Sequence, residues 1–500
     1  MNYSGKKVLV MGLGLHGGGL ESARFLLKRG AEVTVTDLRD ESTLMPSIEK
    51  LDAICRQIGR PPVRYVIGSH ETEDFKNADI VIKNPGVRPD SPFLKAAKHI
   101  ETDISLFLHE NPARLFAVTG TKGKSTTSAA LYWILSGGVE GKEIVSNNLN
   151  TINPSNTPFV RSTYLGGNIT HSPLTFLDIL TEKDNVVLEL SSFQLGDLKG
   201  RTAADGSPLL KPAAAVLTAI MADHLDRYAS MEEYIDDKRN IYRGQDSGCV
   251  TIAGDDSWGA SFLAETKAKA VVFSDRQKPK NRLNGGWIED GRGLAQLYGY
   301  KNISEEIAEL VPAALLTPGK HQKINLLAAA LAAYACGLNA ENIRKALSAF
   351  RGIEHRLEFF HEADGIRFYN DSAATIPQAA AACIEALAAE APLVLVTGGT
   401  DKNLDFSPLV KAAPQAVEIV LLAGTGSDKL AKLLTDNNIS FNGPFDDLDM
   451  AVRCALNAAK PGCGIAYNIA LSPGCASFGM FLNEFDRGRR WKEAVLTNSK

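Results

Sequence analysis

Short apolar runs alternate with longer segments of helical periodicity along most of the chain. Lys7–Met11 is a compact apolar run, followed by glycines and a helical pattern through Arg29 that stops at Gly30. A second run, Ala31–Thr36, ends at Asp37. Further runs of strand type are Ala78–Lys83, Phe116–Val118, Asn185–Leu190, Ala213–Ile220, Cys249–Ala253, Ala270–Phe273, Ile366–Tyr369, Pro392–Thr397, Ala416–Ala423 and Ile465–Ser472. Helical periodicity fills Thr102–Leu108, Ala129–Leu135, Met231–Arg243 and an alanine-rich stretch to Ala335. Strand followed by helix, repeated, predicts an α/β protein with parallel sheets. Pro112 and the turn at Gly352 mark breaks. They divide the chain into an N-terminal Rossmann-like domain (1–112), a central P-loop-type ATPase sheet (113–350) and a second Rossmann-like doubly wound sheet (351–500). Residues 137–156 are rich in Gly and Asn, and 276–310 mix charges; neither stretch carries a clear period.

The polar residues collect where the runs end. Phe116-Ala117-Val118-Thr119-Gly120-Thr121-Lys122-Gly123-Lys124-Ser125-Thr126-Thr127 reads as strand, tight loop and helix. Backbone N–H groups of such a loop form an anion site, with Lys124 reaching terminal phosphates and the Ser125 hydroxyl placed for Mg²⁺. The loop is shorter than the usual P-loop, because only Thr121 and Lys122 separate Gly120 from Gly123. Read blandly, it is a glycine turn with an exposed lysine. Gly12-Leu13-Gly14-Leu15-His16-Gly17 is a G-x-G-x-x-G turn, with the acidic Asp37 about twenty positions on, the dinucleotide fingerprint. Taken alone it fits NAD or another diphosphate nucleotide equally, or merely close helix–strand packing. Glu189 ends a buried strand, where a carboxylate is costly unless paired or metal-bound. Asp223 and His224 end another, and Lys238 follows on a helix. Polar groups at the C-terminal ends of parallel strands face the ligand crevice.

Bulk properties narrow the class. A chain of 500 residues is too long for one core, and its 44% hydrophobic and 22% charged residues are ordinary for a globular protein. A net charge of −4 and the absence of a basic stripe exclude nucleic acid as the main partner. The seven cysteines are scattered and odd in number, as expected of reduced thiols in a cytoplasmic protein. Lys6-Lys7 followed by a short strand and glycines is not a secretory leader, and no apolar run is long enough to span a membrane.

Together, Thr119–Thr126, Glu189–Leu195 (ELSSFQL), Asp223–Tyr228 (DHLDRY), Gly352–Glu358 around His355-Arg356, and Ser472–Phe478 resemble the Mur ligases almost end to end. These are ATP-dependent amide-forming enzymes of peptidoglycan precursor synthesis, and the likeness is greatest to their glutamate-adding members. The resemblance implies that Gly14, Leu15, His16, Asp37 and Arg39 hold a UDP moiety and that Asn168 binds the muramoyl substrate. Gly120, Thr121, Lys122, Gly123, Lys124, Ser125 and Thr126 would bind ATP, joined by Asn325, Arg356 and Asp371. Two Mg²⁺ ions would be held by Ser125, Glu189, His224 and Lys238, the lysine as its carbamate. Lys124, Glu189, His224 and Lys238 would be catalytic. Thr375, Lys402, Ser477 and Phe478 would hold glutamate. The implied reaction joins D-glutamate to UDP-N-acetylmuramoyl-L-alanine (UDP-MurNAc-L-Ala) in a cytoplasmic monomer, without membrane insertion.

Two positions depart from the family pattern: Ala373 stands where glutamate-adding members carry lysine, and Gln322 where asparagine is expected. The first leaves L-glutamate or another amino acid open as the alternative. A folylpolyglutamate synthetase should lack the N-terminal nucleotide unit, and the Asp-Asn-Pro-Arg motif of the diaminopimelate-adding Mur ligase is missing. A nicotinamide-dependent dehydrogenase would explain Gly12–Gly17 but not Thr119–Thr126 or Lys238. A non-catalytic nucleotide-binding regulator would not need Lys124, Glu189, His224 and Lys238 together.

Overall fold

The computed structural model describes residues 2–15, 17–138, 162–169, 171–224, 226–276, 284–459 and 464–499. The chain forms two compact units, 1–311 with 325–344, and 312–324 with 345–500.

The first unit contains two sheets. The N-terminal one has the spatial order Arg64–Ile67, Glu32–Asp37, Lys7–Met11, Ile80–Lys83, Ile100–Glu101, all parallel. The second runs Ala308–Val311, Arg292–Gln296, Gly285–Glu289, Lys269–Ser274, Val250–Gly254, Ala214–Leu217, Arg114–Thr119, Asn185–Glu189, Thr163–Gly167. Its six strands from Lys269–Ser274 to Thr163–Gly167 are parallel neighbours, so the ends carrying the phosphate loop, Glu189 and the 218–224 segment share one edge. Strands such as Asn185–Glu189 are buried on both faces, which is why they read as continuous apolar runs. One apolar cluster runs from Val10 and Leu26 through Leu106 and Ala117 to Leu188 and Tyr234, so both sheets share a core.

The second unit is built on the order Glu358–Ala363, Ile366–Asn370, Tyr467–Leu471, Leu393–Thr397, Glu418–Leu422, Asn442–Phe445, parallel except at the Glu358–Ala363 edge. The loops after Asn370, Thr397 and Leu471 therefore meet at one edge.

Several elements lie where the sequence pattern is silent. Residues 276–310 include two antiparallel strands, Gly285–Glu289 and Arg292–Gln296, and the start of a third, Ala308–Val311. The helix Glu41–Gln57 carries Pro46 within it and begins at Asp40, whose side chain accepts from Thr43 N at 2.7 Å. Among the described residues no helix is long and apolar enough to cross a membrane. The six described cysteines are free thiols.

Candidate active site

The phosphate loop is shaped by steric necessity. Gly120 and Gly123 have φ of 150° and 91°. A β-carbon on Gly120 would overlap Thr218 Oγ1, and one on Gly123 would overlap the Asn325 side-chain amide. Thr218 Oγ1 donates to Lys122 O (2.7 Å), while Thr121 N donates to Ala219 O (2.8 Å), which pins the loop to the neighbouring strand end. The helix Lys124–Leu135 starts directly after Gly123, and its first-turn N–H groups lie outside the intrahelical ladder. Asn325 is thus brought against this loop. Lys124 Nζ donates to Gly120 O and Thr121 O, both at 3.0 Å.

Lys238 lies on the apolar face of the helix Met231–Arg243, with Tyr234, Ile235, Ile241 and Tyr242 also buried. Its side chain is 1% exposed. Nζ donates to Gly120 O at 2.9 Å and sits 4.5 Å from the centre of the Tyr234 ring. Burial, and then the nearby charge of Lys124, push its pKa down to about 7. Tyr234 is tied to the same loop through its OH, 2.9 Å from Thr121 Oγ1.

Glu189 is also 1% exposed. Asn168 Nδ2 donates to Oε1 at 3.1 Å, and Ser128 Oγ lies 3.5 Å from Oε2. These are neutral donors on a buried carboxylate, an arrangement with electrostatic capacity for a cation. Asn168 is held in turn by its own N–H to Glu189 O (2.8 Å). His224 has φ of 54° and packs its ring 5.0 Å from that of Phe193. Among the described residues no three His, Cys, Asp or Glu side chains are assembled as a metal centre. Glu189, a buried carboxylate met by the neutral donors Asn168 and Ser128, offers the oxygen chemistry that suits Mg²⁺, which keeps several waters and shares phosphate oxygens.

The N-terminal turn forms a small cleft lined by Gly12, Gly18, Lys83, Asn84, Pro85 and Asp103. Gly12 and Gly14 take φ of 94° and 65°. Asp37 Oδ2 accepts from Gly14 N (3.2 Å) and Oδ1 from Arg39 N (3.0 Å), so the acidic residue organises the turn. Leu15 is exposed. His16 lies outside the described residues. Ser47, whose Oγ donates to Gly14 O at 2.8 Å, and Asn84, facing Gly12, were not anticipated.

In the second unit, Asp371 is buried. It accepts from Leu357 N (2.9 Å) and Ser472 Oγ (2.7 Å), which bridges the His355-Arg356 turn to the Ser472–Phe478 loop. Burial pushes its pKa up to about 6, against the pull of Arg356. Because this exceeds the ordinary 3.8, the folded state favours the protonated acid, and ionisation costs stability as pH rises through about 6. Asp371→Asn is therefore expected to melt at the same temperature as the parent or a few degrees higher at pH 8, with the difference closing towards pH 5. Thermal melts across pH check this; a variant that melts far lower at pH 8 contradicts it.

Loops 398–402 and 474–478 are zipped together. Thr400 N and Ala476 N each donate to the other's carbonyl at 3.0 Å, and Thr400 Oγ1 donates to Phe478 O. Ser477 is buried, whereas Lys402 and Phe478 are exposed. Thr375 follows on the neighbouring loop, its N–H bonded to Ala373 O at 2.9 Å. Sequence reasoning missed Arg487, which is fully buried. It donates to Ser372 Oγ (3.0 Å), Ser372 O (2.9 Å) and Cys475 O (3.2 Å) and so joins two of these loops. The available signal was Gly488 beside it, where a β-carbon would overlap the His355 ring.

Comparison with known proteins fits this geometry. Family models match as the Mur ligase MurD-like N-terminal domain (residues 6–105), the Mur ligase middle domain (118–333) and the Mur ligase glutamate ligase domain (355–466). The UDP-N-acetylmuramoylalanine–D-glutamate ligase of Treponema pallidum is 37% identical, over 98% of this chain and 97% of that protein. That of Borreliella afzelii is 38% identical over 97% of each. Among solved structures, MurC of Thermotoga maritima matches with TM-score 0.53 at 19% identity, over 98% of this chain and 99% of that one. MurF of Acinetobacter baumannii matches with TM-score 0.55 at 16% identity, over 98% and 93%. The two structural matches speak for the fold. Identity above a third along nearly the whole of the sequence relatives, with each domain model falling in order, goes further: the chain belongs to the Mur ligase family.

Proposed function

We propose that this protein joins D-glutamate to UDP-MurNAc-L-Ala at the cost of ATP, releasing ADP and phosphate. The observation that carries this reading is the single sheet edge at which the phosphate loop, Glu189 with Asn168, and the buried Lys238 converge. A carboxylate does not react with an amine at neutral pH. A carboxylate oxygen of the alanyl group attacks the γ-phosphorus of ATP, the bond to ADP breaks, and an acyl phosphate forms. The glutamate amine then attacks the acyl carbon and phosphate leaves with the carboxylate oxygen. Negative charge accumulates on phosphoryl oxygens, where Lys124 and the first-turn N–H groups of its helix stabilise it.

Ser125, Glu189, His224 and Lys238 would hold two Mg²⁺ ions, which would neutralise phosphate charge. A pKa near 7 leaves Lys238 largely able to present a neutral amine at cytoplasmic pH, the form that adds CO₂. The resulting carbamate is an anionic oxygen donor and keeps one N–H on Nζ for Gly120 O. Asp37 orders the turn for the UDP portion, contacted by Gly14, Leu15, His16 and Arg39, and Asn168 contacts the muramoyl group. Asn325, Arg356 and Asp371 serve ATP, and Thr375, Lys402, Ser477 and Phe478 serve glutamate. The protein works as a cytoplasmic monomer supplying the cell wall, and through it cell shape and division.

Phosphate release with ATP, Mg²⁺ and UDP-MurNAc-L-Ala, with D-glutamate, L-glutamate or neither, tests the reading. Release that requires D-glutamate is expected. Release only with L-glutamate reassigns the amino-acid pocket, and none with either removes the substrate assignment.

A further inference from the structure

Arg227 is a residue for which the mechanism above has no use. It belongs to the turn that carries His224, since Arg227 N donates to His224 O at 2.9 Å. Its guanidinium carbon lies over the Phe193 ring, 3.7 Å from the centroid. Nη2 donates to Pro85 O (3.1 Å) and Val87 O (2.9 Å), and Nη1 to Gly86 O (3.2 Å). Three consecutive carbonyls of one turn are therefore gathered by one side chain.

That turn is not an arbitrary surface. It follows the strand Ile80–Lys83, and Asn84 and Pro85 wall the cleft of the N-terminal glycine turn. Phe193 lies in the helix Ser192–Asp197, which begins just beyond Glu189. Arg227 thus connects the wall of the nucleotide cleft to the two segments that bear Glu189 and His224. A planar fork that stacks on one face and donates along its edge is what arginine offers and lysine does not.

We propose that Arg227 is a positioning residue, setting the distance between the UDP-binding cleft and the phosphoryl-transfer edge by holding the 84–87 turn. This rests on the proposed reaction. A substrate carrying UDP at one end and the reacting carboxylate at the other must span that distance, whereas ATP need not. Displacement of the turn should therefore weaken use of the UDP-linked substrate and leave ATP affinity alone.

The test is steady-state phosphate release by the full chain, with Arg227→Ala, Arg227→Lys and, as control, Asp178→Ala. Asp178 pairs with Arg29 (3.1 Å) and Lys28 (3.7 Å) elsewhere in the same unit and is not among the residues lining the cleft, so its loss removes surface ion pairs without touching the cleft wall. Arg227→Ala is expected to raise KM for UDP-MurNAc-L-Ala by about ten- to a hundredfold, with KM for ATP within about twofold. Arg227→Lys should fall between it and the parent, and Asp178→Ala should match the parent. Parallel rises in both KM values with a lowered melting temperature would mean general loosening and overturn the proposal. So would an unchanged KM for the UDP-linked substrate in an active, folded Arg227→Ala. If the parent protein itself shows no release dependent on that substrate, the proposed reaction falls first and this inference with it.

Discussion

Lys124→Ala is expected to lower phosphate release by about 10³-fold while the protein stays folded. In the proposed reaction this ammonium follows the γ-phosphoryl as it moves. Its bonds to Gly120 O and Thr121 O are to carbonyls of a loop already pinned through Thr218 Oγ1 and Ala219 O. Glycines at 120 and 123, not the lysine, set the loop's course. The melting temperature should therefore change by no more than a few degrees. Lys124→Arg should be nearly as inactive, because a fork of five donors does not replace a compact point charge in so short a loop. Turnover within tenfold of the parent would remove Lys124 from phosphoryl transfer.

Lys238→Met is expected to cost about 10²-fold or more in turnover and nothing in stability. Methionine fills the same apolar site beside Tyr234 and removes a buried titratable group, at the loss of the bond to Gly120 O. The lowered pKa makes the direction of the pH effect definite. A basic group held at about 7 is mostly neutral above that value and charged below it, so the proposed carbamate should fail to form as pH falls through 7. Activity of the parent protein should drop over the same interval, fall in solutions stripped of CO₂ and return with bicarbonate. Protein incubated with ¹³C-bicarbonate should show a carbamate resonance that Lys238→Met lacks. Full activity without CO₂ would restrict Lys238 to packing.

What the sequence made legible was the repeating strand–loop–helix grammar and the chemistry at its strand ends. Met231–Arg243 was read with its true limits because a strong amphipathic stripe begins at the Ser230 cap and ends at Gly244. Glu189 stood out because a carboxylate closing an apolar run is costly without a partner, and Asn168 and Ser128 prove to be neutral partners rather than a salt bridge. The hairpin strands of 285–296 were illegible for an equally physical reason. Gly285, Gly286 and Gly293 carry no side chain to show a period, yet each is demanded by close neighbours such as Val272, Leu327 and Val311. Arg487 was missed because an arginine in a charged helical segment reads as solvent-facing, whereas here three backbone and hydroxyl oxygens receive it in the core. The carbonyl cluster on Arg227 arises from loops about 140 residues apart in sequence, which no local pattern could register.

The most direct measurement follows an oxygen atom. UDP-MurNAc-L-Ala labelled with ¹⁸O in its carboxylate, turned over with ATP, Mg²⁺ and D-glutamate, should yield inorganic phosphate carrying one ¹⁸O from each labelled carboxylate, because the oxygen that attacks the γ-phosphorus departs with it. Phosphate free of label, released at the rate of amide formation, would contradict activation of the carboxylate by phosphoryl transfer, and with it the role assigned to the loop at Gly120–Thr126.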